Sequence, residues 1–174
     1  MWYYRYFCPA NLIVIQNHFM SHPDYQWYYK PFNELSPREL YAAMRLRNEV
    51  FVVEQNCVYQ DADQKDPFSY HLLIWQNDEL VAYTRLLPKG LSYDAYPSIG
   101  RVVSSPAHRK KGIGKLLMQV SIDACRQLFG EGPIRIGAQL YLKKFYESFG
   151  FVQTSGMYLE DNIEHIEMTR IVDN

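Results

Sequence analysis

The hydrophobic positions of this chain recur with two different periods, and the changes from one to the other mark out its elements. Ile113, Leu116, Leu117, Val120, Ala124 and Leu128 recur at helical spacing on one stripe of residues 112–129, and Gly130, Gly132 and Pro133 end the pattern. A second helix begins at Ser36-Pro37-Arg38-Glu39. Ser caps the first amides, Pro fits the first turn, and Glu three positions on completes a capping box. Leu40, Ala43 and Met44 then share a face, and the helix is predicted to run to about Val50. Residues 71–75 and 79–87 read as strands joined across Asn77-Asp78. Further short strands are predicted over 99–103 and 134–138, and a short helix over 141–148 ends at Gly150. Two last strands, about 151–157 and 165–171, complete the order. Residues 54–67 are polar and acidic and read as a loop or irregular helix. Residues 1–24 show no usable period. Interleaved strands and helices of this kind predict one α/β domain, a mixed twisted sheet flanked by helices.

Composition narrows the function without naming it. The 174 residues are 48% hydrophobic and 21% charged, enough for a single packed core. A formal net charge of −1 gives no global field toward nucleic acid or an anionic membrane, so any basic site is local. Three cysteines without CxxC spacing and five scattered histidines argue against a disulfide framework and against a metal site. No apolar run approaches the roughly 20 residues of a membrane helix. The patch at residues 12–15 is short and lacks a basic leader, so the protein is expected to be cytoplasmic. The expected division is an N-terminal extension over 1–24 and a domain over 25–174. Residues 1–19 are expected to be dispensable, with Met20 an alternative start.

The most informative stretch runs Val102-Val103-Ser104-Ser105-Pro106-Ala107-His108-Arg109-Lys110-Lys111-Gly112-Ile113-Gly114-Lys115. A strand leaves the sheet, passes through a basic glycine-containing turn, and enters the amphipathic helix. The first amides of a helix have no internal partners, and the helix dipole adds partial positive charge there. Glycines let a phosphate reach that backbone. A Walker A loop would need glycine where Arg109 stands and Ser or Thr where Leu116 stands; a dinucleotide fingerprint would need glycine in place of Leu117. Both readings fail. A solvated basic turn remains the plain alternative to a phosphate site.

Arg109-x-x-Gly112-x-Gly114 after a strand and before a Leu-rich helix resembles the coenzyme loop of the GNAT superfamily of N-acetyltransferases. After the next strand, Phe145-Tyr146-Glu147-Ser148-Phe149-Gly150-Phe151 resembles the Tyr-x-x-x-Gly-Phe signature of the same fold. Residues 47–55 and 161–166 are similar to the first-helix and last-hairpin signatures of its ElaA-like branch. The resemblance spans about residues 25–171.

The resemblance implies an acetyl-CoA-dependent N-acetyltransferase that works by direct attack in a ternary complex. Its acceptor would be a small-molecule or peptide amine, with no metal, nucleic acid or membrane involved. Main-chain groups of Val102, Val103 and Ser104 would bond the pantetheine arm. Arg109, Lys110, Lys111, Gly112, Ile113 and Gly114 would cradle the pyrophosphate. Gln139 stands where many members have Asn, Leu142 where many have Ala, and Ser104 where an apolar residue is common. Tyr146 would be the general acid, unless it is only a packed core aromatic among Phe145, Phe149 and Phe151. Glu54, His71, Asp161 and His165 are the candidates to face the acceptor as general base. The acidic run from Asp61 to Asp66 either attracts a cationic amine or is solvated surface. The rival reading from another class is a coenzyme-binding regulatory module without turnover.

Overall fold

A computed structural model describes residues 20–22 and 24–171 of the chain. The expectations for residues 1–19 lie outside the described residues. Nine strands form one mixed sheet: β1 (Met20–His22), β2 (Tyr25–Pro31), β3 (Tyr70–Gln76), β4 (Glu79–Leu87), β5 (Ser98–Ser104), β6 (Ile134–Gln139), β7 (Phe151–Gln153), β8 (Tyr158–Glu160) and β9 (Ile163–Arg170). Their order is β1-β2-β3-β4-β5-β6-β9-β7, with β8 also on β9. Every paired neighbour is antiparallel except β5 and β6. β1 falls inside the 1–24 segment that showed no period, and three residues are too few to display one.

The central strands are buried on both faces. Leu72 and Ile74 of β3 enter one core, with Ile113, Leu117, Met118 and Ile122 of the helix α2 (Ile113–Phe129). Leu73 and Trp75 enter the other, with Ala43 and Leu46 of the helix α1 (Pro37–Arg47). The strict alternation of a strand thus divides one apolar run between two layers of helix.

α1 starts as its sequence requires. Ser36 Oγ accepts from the Glu39 amide at 3.2 Å, and Glu39 Oε2 accepts from the Ser36 amide at 2.7 Å. The helix does not end near Val50. It continues as a π-helical segment, Asn48–Glu54, whose wider turns bury Val50 and carry the chain on to Gln55. On α2 the buried face centres on Ile113, Leu117, Met118, Ser121, Ile122 and Cys125, so Leu116, Val120 and Leu128 lie at its half-buried border. Ser121 is tolerated inside because its hydroxyl donates to the Leu117 carbonyl at 2.7 Å and pairs with Thr84 at 2.8 Å. The strand expected over 151–157 is shorter, ending with β7 at Gln153, and β8 at Tyr158–Glu160 is a strand the sequence reading did not anticipate. β8 turns into β9 across Asp161 and Asn162, whose φ angles of 50° and 64° suit a two-residue hairpin loop.

Candidate active site

β5 and β6 run parallel, but the only register pair between them is Ser98 with Arg135, backed by the Arg135 amide on the Pro97 carbonyl at 3.1 Å. Beyond that pair the sheet is split. A cleft of about 620 Å³ opens there, with Gly100, Arg101 and Val102 of β5 on one side and Gly137 and Gln139 of β6 on the other. Arg101 has φ 52° and is the extra residue where the β4–β5 register shifts, so β5 bends at the cleft wall.

The basic turn lies past the C-terminal end of β5. Gly112 caps α2 with φ 86°, a conformation side chains disfavour, and has no side chain to bond the helix amides. The first closing bonds run from Lys115 and Leu116 to the Gly112 carbonyl at 3.0 and 3.1 Å, so the amides of Ile113 and Gly114 precede them. The Ile113 side chain is buried in the core, leaving only its backbone to face a ligand. Lys110 and Lys111 are exposed and make no ion pair among the described residues. Arg109 is engaged: its guanidinium meets Glu54 at 2.5 and 2.9 Å and the Ser104 carbonyl at 3.4 Å.

The sequence-predicted residues therefore divide between two places. Val102, Gln139 and Tyr146 line the cleft, whereas residues 109–114 form the turn beyond it. Val103 points into the α1-side core, and Ser104 pairs with Ala82 on β4. The Val103 side chain is thereby withheld from the cleft, and Ser104 is half-buried. Tyr146, on the short helix α3 (Lys143–Glu147), is 5% exposed. Burial, with a smaller effect from Tyr141, pushes its phenol well above the usual tyrosine range, so it stays protonated. The Gln139 amide exchanges bonds of 3.3 Å in both directions with Gln55.

The four base candidates separate cleanly. Glu54 is tied to Arg109 and does not line the cleft. His71 is 1% exposed and has no face on the cleft. Its Nε2 donates to the Asp66 carbonyl at 3.1 Å, and its Nδ1 accepts from the Tyr83 hydroxyl at 2.7 Å. Burial holds its pKa below the usual value. Asp161 and His165 do line the cleft.

The acidic run is not simply solvated surface, because its aspartates are paired. Arg47 bonds Asp61 and Asp66 at 2.8 Å each, and Arg85 bonds Asp63 at 2.6 and 2.7 Å. Arg101 bonds Asp61 at 2.7 Å. These pairs fix the 61–66 segment, of which Asp63 and Lys65 line the cleft. Sequence reading missed the three arginines, although Arg85 stands in an apolar strand run, where a charge needs a partner. It also missed Gly137, where a β-carbon would lie 3.1 Å from the Tyr158 hydroxyl and 3.5 Å from that of Tyr93.

A sheet split between parallel strands, with an open cleft at one end and a glycine-capped helix start at the other, defines an acyl-CoA N-acyltransferase fold. The chain belongs to the acetyltransferase (GNAT) domain family, whose model matches residues 34–172. It is 44% identical over 149 residues to protein ElaA of Escherichia coli, covering 84% of this chain and 97% of that one. The crystal structure of E. coli ElaA matches with a TM-score of 0.78 at 43% identity, over 84% of this chain and 99% of that one. An acyl-CoA N-acyltransferase from Pseudomonas aeruginosa matches with a TM-score of 0.79 at 42% identity, over the same shares. Both the family and the ElaA-like branch were therefore legible in the sequence. Among the described residues no helix is long and apolar enough to cross a membrane, and no group of His, Cys, Asp or Glu could hold a metal ion.

Proposed function

We propose that this protein is an acetyl-CoA-dependent N-acetyltransferase that passes the acetyl group directly to an amine in a ternary complex. The observation that carries this is the split between β5 and β6, with the Tyr146-lined cleft along it and the Gly112 turn past the C-terminal end of β5. Backbone groups of Val102, Val103 and Ser104 alternate between the two edges of β5, and those turned away from β4 would meet an extended amide-containing arm. One of their amides would hold the thioester carbonyl and gain strength as negative charge develops on it. The backbone of Arg109, Lys110, Lys111, Gly112, Ile113 and Gly114 suits a diphosphate, and the side chains of Lys110 and Lys111 are exposed beside it. Gln139 faces the same arm. As the amine nitrogen bonds the acetyl carbon and the carbon–sulfur bond breaks, Tyr146 protonates the leaving thiolate. The acceptor is a small-molecule or peptide amine. The free thiols of Cys57 and Cys125 suit the reducing cytoplasm.

The test is a mass-spectrometric screen of acetyl-CoA with a broad amine panel, reading acetylated product and free coenzyme A together. Expected are equal amounts of both with at least one amine. Tight acetyl-CoA binding without release of coenzyme A would instead establish a non-catalytic acyl-CoA-binding module.

A further inference from the structure

We infer that His165 is the general base of this site, with its Nε2 taking the proton that the acceptor ammonium must lose. The inference rests on the acyl-transfer reading above and adds a residue to it.

The argument starts from the hydrogen bond at the other ring nitrogen. His165 Nδ1 lies 2.9 Å from the Ile163 carbonyl. A carbonyl can only accept, so Nδ1 carries the proton, and in the neutral ring Nε2 is left with its lone pair. His71 has the opposite arrangement, with both nitrogens used inside the protein. The sheet then places the His165 ring. It stands directly across from Gln139 on β6 and from Tyr158 on β8, with the Tyr158 ring stacked on it at 5.9 Å and 27°. Both neighbours and His165 line the cleft that Tyr146 also lines. The sites for taking one proton and giving another thus share a single cavity.

Gln139 of β6 and Tyr158 of β8 flank the ring, and the Tyr93 hydroxyl reaches Gly137 beside that of Tyr158. The other titratable groups lining the same cleft are Glu160 and Asp161 at the turn, Cys57, Tyr59, Asp63 and Lys65 after α1, and Arg85 and Arg101 of the sheet. On β9 itself the ionisable neighbours are Glu164 and Glu167, and Glu167 pairs with Arg135 at 3.4 Å. Asp161 is the remaining candidate. It is an exposed turn residue, and no bond among the described residues orients its carboxylate. A carboxylate is also a weaker base than an imidazole near neutral pH.

The step balances as follows. An acceptor ammonium gives one proton to Nε2, and the resulting amine bonds the acetyl carbon. The carbon–sulfur bond breaks, Tyr146 protonates sulfur, and the second nitrogen proton restores the Tyr146 phenol. His165 returns its proton to water, so the net products are amide, coenzyme A thiol and one proton.

His165→Asn keeps a donor for the Ile163 carbonyl and deletes Nε2. With the amine that releases most coenzyme A from wild type, its turnover at pH 7 is expected to fall by about 10²-fold, the lower end for general acid–base catalysis. Acetyl-CoA affinity by calorimetry should stay within about twofold of wild type, since its binding groups are untouched. The decisive readout is the pH profile. The defect should shrink as pH rises, because the amine then deprotonates without help; a structural defect has no reason to. His165→Gln, which loses the Ile163 bond but retains a side-chain amide, gives the same comparison should the Asn variant fail to fold. If wild type turns over and both folded variants show a constant deficit across pH, or less than about threefold loss, His165 is not the base and the acyl-transfer reading stands. If wild type releases no coenzyme A with any amine, that reading fails first and takes this role with it.

Discussion

Residues 61–66 bring three aspartates to Arg47, Arg85 and Arg101, and three cations in a row at 109–111 have one carboxylate, Glu54, among them. The first group is closed. Arg47 is 1% exposed, and each aspartate is bonded by at least one guanidinium. The second is open, with Lys110 and Lys111 in solvent at the mouth of a helix. The two stretches look alike as charge runs. They differ in whether the surrounding elements, α1 and the sheet, bring opposite charges to them. Where they do, charge fixes the segment; where they do not, charge remains for a ligand.

Breaking the closed region should have the largest effect. Arg47→Met takes the shared guanidinium from Asp61 and Asp66, which keep Arg101 and Arg85; breaking a buried pair costs up to about 3–5 kcal/mol, and the remaining arginines put the loss toward the lower end. For a chain of this size that is a melting-temperature drop of about 6–20 °C, read by calorimetry. Acid attacks the same cluster. Burial alone would raise the carboxyls of Asp63 and Asp66, but Arg85 for the first and Arg47 with Arg85 for the second outweigh it and hold both below the usual range. Burial holds His71 below its usual value as well. All three shifts have one sign: the unfolded chain binds more protons, so stability present at neutral pH falls as pH drops. The fall begins below about 6.5, where an unfolded histidine charges, and continues below about 4, where unfolded aspartates do. A melting temperature that holds level from pH 7 to pH 3 would count against the cluster.

If Tyr146 is the general acid proposed above, Tyr146→Phe is expected to lower turnover by about 10²-fold at saturating substrates while acetyl-CoA affinity and melting temperature stay near wild type. Because burial lifts the phenol, wild type should show no alkaline loss attributable to Tyr146 up to about pH 10. Turnover of the variant within about threefold of wild type would return Tyr146 to a packing role.

In the open region, Gly112→Asp sets a carboxylate at the cap and a side chain at φ 86°. Acetyl-CoA affinity should fall by about tenfold or more, while the strain costs the fold only about 1–2 kcal/mol. Titration calorimetry on the folded variant decides it, and unchanged affinity would remove the turn from the site. Glu54→Gln should act in the opposite direction. It frees Arg109 and removes an anion beside the diphosphate, so acetyl-CoA should bind about two- to fivefold tighter, the scale of an exposed ion pair. Weaker binding would mean that Glu54 orients Arg109 for the ligand and does not compete for it.

The two regions were unequally legible in sequence. The Gly112 turn and α2 could be read because an amphipathic period and a helix start are local, set by residues three or four apart. The capping box at Ser36 was legible for the same reason. The stripe on α2 was misplaced by part of a turn because Thr84, on another strand, makes Ser121 an inside residue. The arginine–aspartate cluster was invisible because its partners are 14 to 40 residues apart. His71 and His165 were indistinguishable as letters. Only the bonds at their ring nitrogens separate a structural histidine from a candidate base.

The sequence by itself determined the domain class, the family, the two helix starts and the position of Tyr146, since period, capping and glycine conformation are short-range properties of the chain. Tertiary structure decided where β5 and β6 part, which charges are paired, and which of four candidate bases reach the cleft. Those outcomes depend on strand register and on contacts between residues distant in the chain, and no local pattern encodes which distant charge will arrive at a given site.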